Sequence, residues 1–327
     1  MIIAIQVDRL ETLNPNTDTT LFIASELCKF GYRVFFYTPD RLYILDGSVY
    51  ADGRFAEVYY SNFTSMFNVI GNEEAICLTS VSAVLVRQNP PFNMNYITSL
   101  YILDMLPKNI LVLNKPSGLR ECSEKIMPLN YPSLIPPTIV ISSYSNKVLE
   151  FLSTHRMVIL KPLYWFGGKH MELLDVGDEV SAINSIAKAI EEHGHILLQK
   201  FFSEISDGDK RIFLMDGKPV AALKRVPKKG EFLANLASGG TAAKTEITDR
   251  EREICSYIGP YLKKRGIFLA GVDVIKGHLI EVNVTSPTGF VAIDKLYGIN
   301  LAARFVEYID RQLNKTVKEI DLSCLLE

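Results

Sequence analysis

The sequence predicts an α/β protein assembled from α+β lobes, and three observations over its 327 residues lead to that class. A strand-helix-strand pattern opens the chain over residues 2–38, and a small strand-helix-strand unit follows over 158–199. Beyond these, two hairpins are separated by a helix. With 48% hydrophobic and 22% charged residues, the chain can bury a packed core and is not collagen-like, disordered or coiled-coil.

The elements can be justified in order. Residues 2–7 form an apolar strand; Asp18 or Thr19 can cap a helix reaching Phe30; Gly31 suits its C-terminal stop; and residues 32–38 favour β-structure. The intervening loop, residues 8–17, contains no glycine, so the dinucleotide-binding fingerprint is missing and NAD and FAD are disfavoured. Asp46-Gly47 and Asp52-Gly53 read as hairpin turns, Ala83–Val86 as a strand ending at Arg87, residues 93–106 as a helix and 110–113 as a buried strand. The first domain should close near residue 120. Asn114-Lys115-Pro116 then leads into a helix carrying Arg120, Glu121, Glu124 and Lys125, and the proline-broken stretch 128–137 reads as an irregular connection. Next come a strand over 158–160 running into Lys161-Pro162, a loop with Gly167-Gly168, a helix over 179–192 and a strand over 196–199. The last third reads as a hairpin through Asp216-Gly217, a Gly- and Ala-rich loop over 227–245, a helix Asp249–Lys264, a hairpin over 268–284 and a terminal helix near 301–313.

Composition narrows the function. Thirty-five basic residues against 37 acidic ones give a net charge of -2, which offers no broad attraction to nucleic acid or an anionic membrane, so small ligands are the expected partners. Cys28, Cys77, Cys122, Cys255 and Cys324 are scattered without a C-x-x-C pair, which indicates neither a disulfide framework nor zinc and suits a reducing compartment. The apolar start lacks a basic leader and no later run is long enough to cross a bilayer, so a cytoplasmic location is expected.

The hairpin over 268–284 carries the most chemistry. Alternation puts Leu279, Glu281 and Asn283 on one strand face and Ile280, Val282 and Val284 on the other. If the turn spans Lys276-Gly277-His278, Asp273 stands opposite Glu281, and Asp273, Glu281 and Asn283 offer three oxygens to one divalent cation; a two-residue turn would put Asp273 on the wrong face. A polar strand face is ordinarily solvated surface, so the neighbouring motifs must decide. Lys161, ending an apolar strand before Gly167-Gly168, can neutralise phosphate oxygens while loop amides approach them, although a strand-end lysine commonly just reaches water. No G-x-x-x-x-G-K-[ST] run is present, which excludes a P-loop. Lys125 is a second phosphate candidate or a surface helix charge; Gln199, Lys200, Phe201 and Phe202 can frame adenine or pack in the core. Arg211 and Arg225 bracket a hairpin and can hold carboxylate or phosphate oxygens or form rim salt bridges. The glycine-punctuated stretch 229–240 suits a lid or a surface loop, and Ser286-Pro287-Thr288 offers hydroxyls or a simple turn. The five histidines have no metal-ligand spacing and no G-x-S-x-G elbow accompanies them, so zinc and hydrolase chemistry fall away.

In that order the pieces resemble the ATP-grasp ligases, and their wording resembles bacterial glutathione synthetases over essentially the whole chain. The resemblance rests on Val86-Arg87-Gln88-Asn89-Pro90-Pro91-Phe92, Asn114-Lys115-Pro116, Leu119-Arg120-Glu121-Cys122 with Glu124-Lys125, and Ile159-Leu160-Lys161-Pro162. It continues through Asp207-Gly208-Asp209-Lys210-Arg211, Asn235-Leu236-Ala237-Ser238-Gly239-Gly240 and Glu281-Val282-Asn283-Val284-Thr285-Ser286-Pro287-Thr288. It implies an ATP-grasp fold preceded by an N-terminal α/β domain: residues 1–122 on the substrate side, 123–200 as the central lobe, and 201–327 as the lobe with lid and metal hairpin. It further implies that ATP phosphorylates the C-terminal carboxylate of γ-glutamylcysteine and that glycine attacks the acyl phosphate. Lys125 and Lys161 would neutralise ATP phosphates beside Gly167 and Gly168, Gln199 to Phe202 would frame adenine with Asp209 and Arg211 nearby, and Asp273, Glu281 and Asn283 would hold Mg2+ or Mn2+. Arg225 would stabilise the reacting charge, Asn235 would belong to a water-excluding lid, and Arg87, Ser286 and Thr288 would face the peptide substrate. A homo-oligomer, a tetramer in the bacterial family, is implied too. Two departures stand out: Leu233 where such lids carry arginine, and Tyr164-Trp165-Phe166 where a glycine-rich run is usual. A ligase using another amine and a catalytically silent nucleotide-binding subunit are the competing readings.

Overall fold

A computed structural model describes residues 1–236 and 239–324. Within Asn235 to Gly240, Ala237 and Ser238 lie outside the described residues, as do the last three residues of the chain. Along the chain run β1 (Ile2–Gln6), α1 (Thr19–Lys29), β2 (Arg33–Tyr37), β3 (Leu42–Leu45), β4 (Ser48–Ser61), β5 (Thr64–Cys77), β6 (Ala83–Val86), α2 (Met94–Leu103), β7 (Leu111–Leu113) and α3 (Pro116–Glu121). There follow β8 (Thr138–Ile141), α4 (Asn146–Thr154), β9 (Met157–Pro162), β10 (Glu172–Asp175), α5 (Glu179–His193) and β11 (Ile196–Lys200). The last third holds β12 (Asp209–Met215), β13 (Lys218–Val226), β14 (Thr241–Ala243), α6 (Asp249–Lys264), β15 (Leu269–Ile275), β16 (His278–Asn283), α7 (Phe290–Tyr297) and α8 (Leu301–Cys324).

The described residues form three sheets. The first has the order β3-β4-β2-β1-β6-β7 with β5 on β4; the second is β10-β9-β11-β8; the third is β14-β13-β12-β15-β16. In the first, β2, β1, β6 and β7 are parallel, as the opening β-α-β unit requires, and the second and third are antiparallel throughout. Asp18 caps α1 by accepting from Leu21 N at 2.8 Å, and Gly31, at φ +84°, ends that turn.

Two cores bind the first and third sheets together. Val84 and Val86 share one with Ile212, Val272, Val282 and the α6 residues Ile254 and Ile258; Ile3, Ile5 and Phe22 share the other with Phe213, Phe290 and Phe305. Asn114 pins this junction: its amide donates to Leu269 O at 2.8 Å and Val284 O at 2.7 Å and accepts from Phe268 N and Leu269 N. The second sheet closes a separate core with α4 and α5 around Val148, Leu160, Ile186 and Leu198.

Several expectations are corrected. Asp52-Gly53 is not a turn but lies inside β4, where a Cβ on Gly53 would stand 2.2 Å from Phe36 O; the glycine serves the close approach of β2. The turn of that hairpin is Asn62-Phe63, both residues at positive φ. The helix after Asn114 stops at Glu121, so Glu124 and Lys125 leave it and enter the cleft. Lys276-Gly277 forms a two-residue turn, yet Asp273 still faces Glu281, because a bulge at Ile280 shifts the register between Asp273 and Val274. The same bulge sends Leu279 into the core with Val282 and Val284, and leaves Ile280, Glu281 and Asn283 facing a cavity.

Candidate active site

A cavity of about 450 Å³ opens where the three sheets meet, and its walls follow from strand alternation. On β9 and β11, Val158, Leu160 and Leu198 point into the lobe's core, so Ile159, Lys161 and Gln199 point into the cavity. On β12, β13 and β15 the register pairs Asp209 with Arg225 and Arg211 with Asp273, and all four side chains line the same cavity.

Lys125, Lys161, Gly167, Gly168, Gln199, Lys200, Phe201, Phe202, Asp209, Arg211, Arg225, Asn235, Asp273, Glu281, Asn283, Ser286 and Thr288 all reach the wall. Lys125 and Lys161 are each 5% exposed, so both ammonium groups are held largely out of water. Lys161 Nζ donates to Gln199 Oε1 at 2.8 Å, and Gln199 donates onward to Thr138 Oγ1 at 3.0 Å. Burial pulls the Lys161 pKa down to about 8 against the opposing pull of Glu281. Lys125 Nζ donates to Trp165 O at 2.5 Å and lies 3.4 Å from Glu281 Oε1.

The third sheet supplies a charge ladder. Arg211 grips Asp273 through Nε and Nη2, both at 2.8 Å, and Arg225 Nη2 reaches the same carboxylate at 2.9 Å while also gripping Asp209. Burial alone would raise the Asp273 pKa, but Arg211 and Arg225 overcome it and hold the carboxyl at about 2. Burial likewise works against the Arg225 charge, and Asp273 and Asp209 reverse it, so this guanidinium stays protonated. Asn283 Nδ2 donates to Asp273 Oδ2 at 3.1 Å. Asp273, Glu281 and Asn283 are thus neighbouring oxygen donors on paired strands, a set that fits a hard divalent cation, with Asp273 already shared by two arginines.

Arg87 stands apart from the cavity wall. Its Nε donates to Thr20 Oγ1 at 3.1 Å and its Nη2 to Pro287 O at 3.1 Å, so it braces the Ser286-Pro287-Thr288 segment from behind. The amides of Lys200 and Phe201 are donated to Pro137 O and Met157 O, which leaves ring faces rather than these two N–H groups for a ligand. Phe232, in the loop after β13, meets Phe201 edge-on at 6.4 Å.

Several wall residues escaped the sequence. Glu124 Oε1 accepts from Val284 N, Thr285 N and Thr285 Oγ1 at 2.9 to 3.1 Å and fastens the Lys125 segment to the end of β16. Asn89, itself held by Asp8, accepts from Ser286 Oγ at 2.7 Å. The loop after β1 contributes Asn14, Asn16, Thr17 and Asp18, which sequence reasoning used only as a connection and a cap. A motif signal existed for Glu124 and Asn89, and none for the loop.

Comparison with known proteins decides the family. The N-terminal domain of prokaryotic glutathione synthetase matches residues 1–120, and the ATP-grasp domain of prokaryotic glutathione synthetase matches residues 124–298. The chain belongs to the prokaryotic glutathione synthetase family. It is thereby an ATP-dependent carboxylate-amine ligase with an ATP-grasp fold behind an N-terminal domain, using ATP and a divalent metal. It is similar to the glutathione synthetase of Brucella melitensis biotype 1, 37% identical over 313 residues that cover 94% of this chain and 98% of the relative. It is also similar to the glutathione synthetase of Synechocystis, 36% identical over 324 residues covering 95% and 100%. Among solved structures it shares its fold with D-cycloserine synthetase DcsG, at a TM-score of 0.68, 14% identity and coverage of 95% of this chain and 100% of that one. D-alanyl-alanine synthetase A from Vibrio cholerae shares it too, at a TM-score of 0.60, 13% identity and coverage of 95% and 98%. No helix among the described residues is long and apolar enough to cross a membrane.

Within this glutathione synthetase family framework the two departures have a local structure. Leu233 packs over Gly168, where a Cβ would stand 2.8 Å from Leu233 Cδ2. The Trp165 ring lies 4.5 Å from His170 and 6.3 Å from His193, which seats the aromatic loop against the end of α5.

Proposed function

We propose that this chain joins γ-glutamylcysteine to glycine, consuming ATP and yielding glutathione, ADP and phosphate. The γ-phosphoryl group passes to the C-terminal carboxylate of γ-glutamylcysteine, with ADP leaving; the unprotonated amine of glycine then attacks the acyl carbon and phosphate departs. What carries this reading is the pair of buried ammonium groups, Lys125 and Lys161, facing Glu281 and the Arg211–Asp273–Arg225–Asp209 ladder across one cavity.

Lys125 and Lys161 neutralise the phosphate oxygens, and Gly167 and Gly168 let the loop backbone approach them. Gln199, Lys200, Phe201 and Phe202 frame the adenine. Asp273, Glu281 and Asn283 would hold Mg2+, or Mn2+ in its place, which supplies positive charge to the β- and γ-phosphate oxygens when bound. Arg225, held in place by Asp209 and supported by Arg211, stabilises charge on the acyl phosphate and on the tetrahedral species. The loop bearing Asn235 covers the site and keeps water from the acyl phosphate. Ser286 and Thr288 face the peptide substrate, with Arg87 acting on them through the Pro287 carbonyl. Division of the chain at 122 and 200, cytoplasmic placement and a tetrameric assembly complete the proposal.

Isotope transfer tests it. γ-Glutamylcysteine labelled with ¹⁸O in its C-terminal carboxylate should deliver one labelled oxygen to the phosphate released with glutathione. Unlabelled phosphate alongside full product formation would contradict the acyl-phosphate route.

A further inference from the structure

β16, which bears Glu281 and Asn283, is the last strand of the third sheet and is paired only with β15. An edge strand has a row of unpaired backbone groups and is loosely held unless something covers them. Here the chain that follows the N-terminal domain covers them. Leu279 N donates to Leu134 O at 2.8 Å, Val282 N to Glu124 O at 3.0 Å and Val284 N to Glu124 Oε1 at 3.0 Å. Thr285 adds its N–H and its Oγ1 to the same Glu124 oxygen, at 3.1 and 2.9 Å. The Val284 carbonyl is taken from the other side, by Asn114 Nδ2 at 2.7 Å. Both polar backbone groups of the residue next to Asn283 are therefore gripped by side chains from the short stretch 114–124.

The same stretch delivers Lys125. Its Nζ lies 3.4 Å from Glu281 Oε1 and donates to Trp165 O at 2.5 Å, so the ammonium stands between the edge strand and the aromatic loop before Gly167-Gly168. An anchor one residue earlier in the chain leaves its stem little freedom. Three donors converging on one carboxylate oxygen are charge-assisted and stronger than the bonds a neutral acceptor would make. Asn114 is absent from the cavity wall, and Glu124 Oε1 is spent on the protein, which points to alignment as their work.

We propose that Glu124, with Asn114 behind it, is a positioning residue that fixes the Lys125 ammonium relative to the Glu281 and Asn283 face of β16. This rests on the proposed phosphate role of Lys125 and metal role of Glu281 and Asn283, and deepens both: ammonium and metal meet the same phosphate only while the edge strand and Lys125 are locked together. A slip of about 1 Å between such groups is enough to cost on the order of 10²-fold.

Calorimetric titration with the non-hydrolysed ATP analogue AMPPNP tests this without turnover. Mg2+ should tighten AMPPNP on the unaltered enzyme by roughly 50-fold, and Glu124→Ala should cut that gain to about 5-fold or less. Glu124→Gln keeps an acceptor oxygen at the same reach and should retain most of the gain. Thr285→Val removes one donor and leaves two on the carboxylate; it should lower the gain about 2- to 3-fold and serves if Glu124→Ala does not fold. A double-mutant cycle without Mg2+ separates positioning from general support. There Glu124→Ala should weaken AMPPNP about 10-fold when Lys125 is present and less than about 2-fold in the Lys125→Met background. Equal losses in both backgrounds, or an undiminished Mg2+ gain in both Glu124→Ala and Thr285→Val, would overturn this inference alone. AMPPNP binding unchanged in Lys125→Met by itself would overturn the phosphate role of Lys125, and this inference with it.

Discussion

The two ends of the cavity are built on opposite electrostatic plans. At the phosphate end the charges are largely tied up beforehand: Lys125 pairs with Glu281, Arg211 with Asp273, and Arg225 with both Asp209 and Asp273, while Lys161 donates to Gln199. At the N-terminal end Asp18 accepts from the first turn of α1 and forms no ion pair among the described residues, and Asn89 and Ser286 hold each other. The contrast suits the two ligands. A triphosphate brings several charges at once and needs donors fixed beforehand, while a dipeptide is selected by a few groups that are incomplete without it.

That contrast can be broken at several points, and the largest effect is expected at Arg225. Arg225→Met leaves two buried carboxylates facing each other, which should cost about 3–5 kcal/mol of stability in denaturant unfolding and lower kcat by roughly 10³-fold. Lys161→Met and Glu281→Gln should each lower kcat/KM for ATP by roughly 10²–10³-fold while the unfolding midpoint moves little, as single-turnover kinetics and calorimetry would report. If both instead unfold the chain, the phosphate end is structural before it is catalytic.

A pH series gives a smaller and more specific effect. Because Lys161 sits at about 8, its ammonium is lost as pH rises through that value, and KM for ATP should climb several-fold between about pH 7 and 9. Stability moves the other way: the folded pKa lies below the ordinary 10.5, so the unfolded chain binds more protons between about 8 and 10.5, and this group's contribution to stability rises with pH there. Lys161→Arg should flatten the KM profile, since a guanidinium keeps its charge throughout. The smallest change is expected at Gly168, at φ +77° beneath Leu233: Gly168→Ala should raise KM for ATP a few-fold. Gly53→Ala, in β4 and absent from the cavity wall, should lower Tm and leave KM unchanged.

What could be read from residues alone divides along the same physical line. Local signals were sufficient for α1 with its Asp18 cap, for the Asp216-Gly217 hairpin and for α6, whose limits, Asp249–Lys264, match the expectation because Thr248 and Glu251 form a capping box. Signals that depend on a partner failed. Asp-Gly at 52–53 mimics a turn, and only the approach of Phe36 shows why glycine is needed within a strand. The bulge at Ile280 breaks the alternation that placed Leu279 beside Glu281, yet restores the pairing of Asp273 with Glu281 that an uninterrupted two-residue hairpin would have lost. The motif residues converge on one cavity because each lies on a strand face or in a loop bordering it, whereas Arg87 carries the same kind of motif and faces Thr20 and Pro287. No periodicity marks the loop after β1 as a wall, since its place is set by the packing of α1 against α7 and α8.

The central claim is that one cavity couples cleavage of ATP to activation of a carboxylate and its capture by an amine. ADP release in the presence of Mg2+, followed with γ-glutamylcysteine and glycine supplied singly and together, tests it most directly. Sustained ADP formation matched one-to-one by glutathione is predicted only when both are present, and rapid ADP formation without either of them would contradict it.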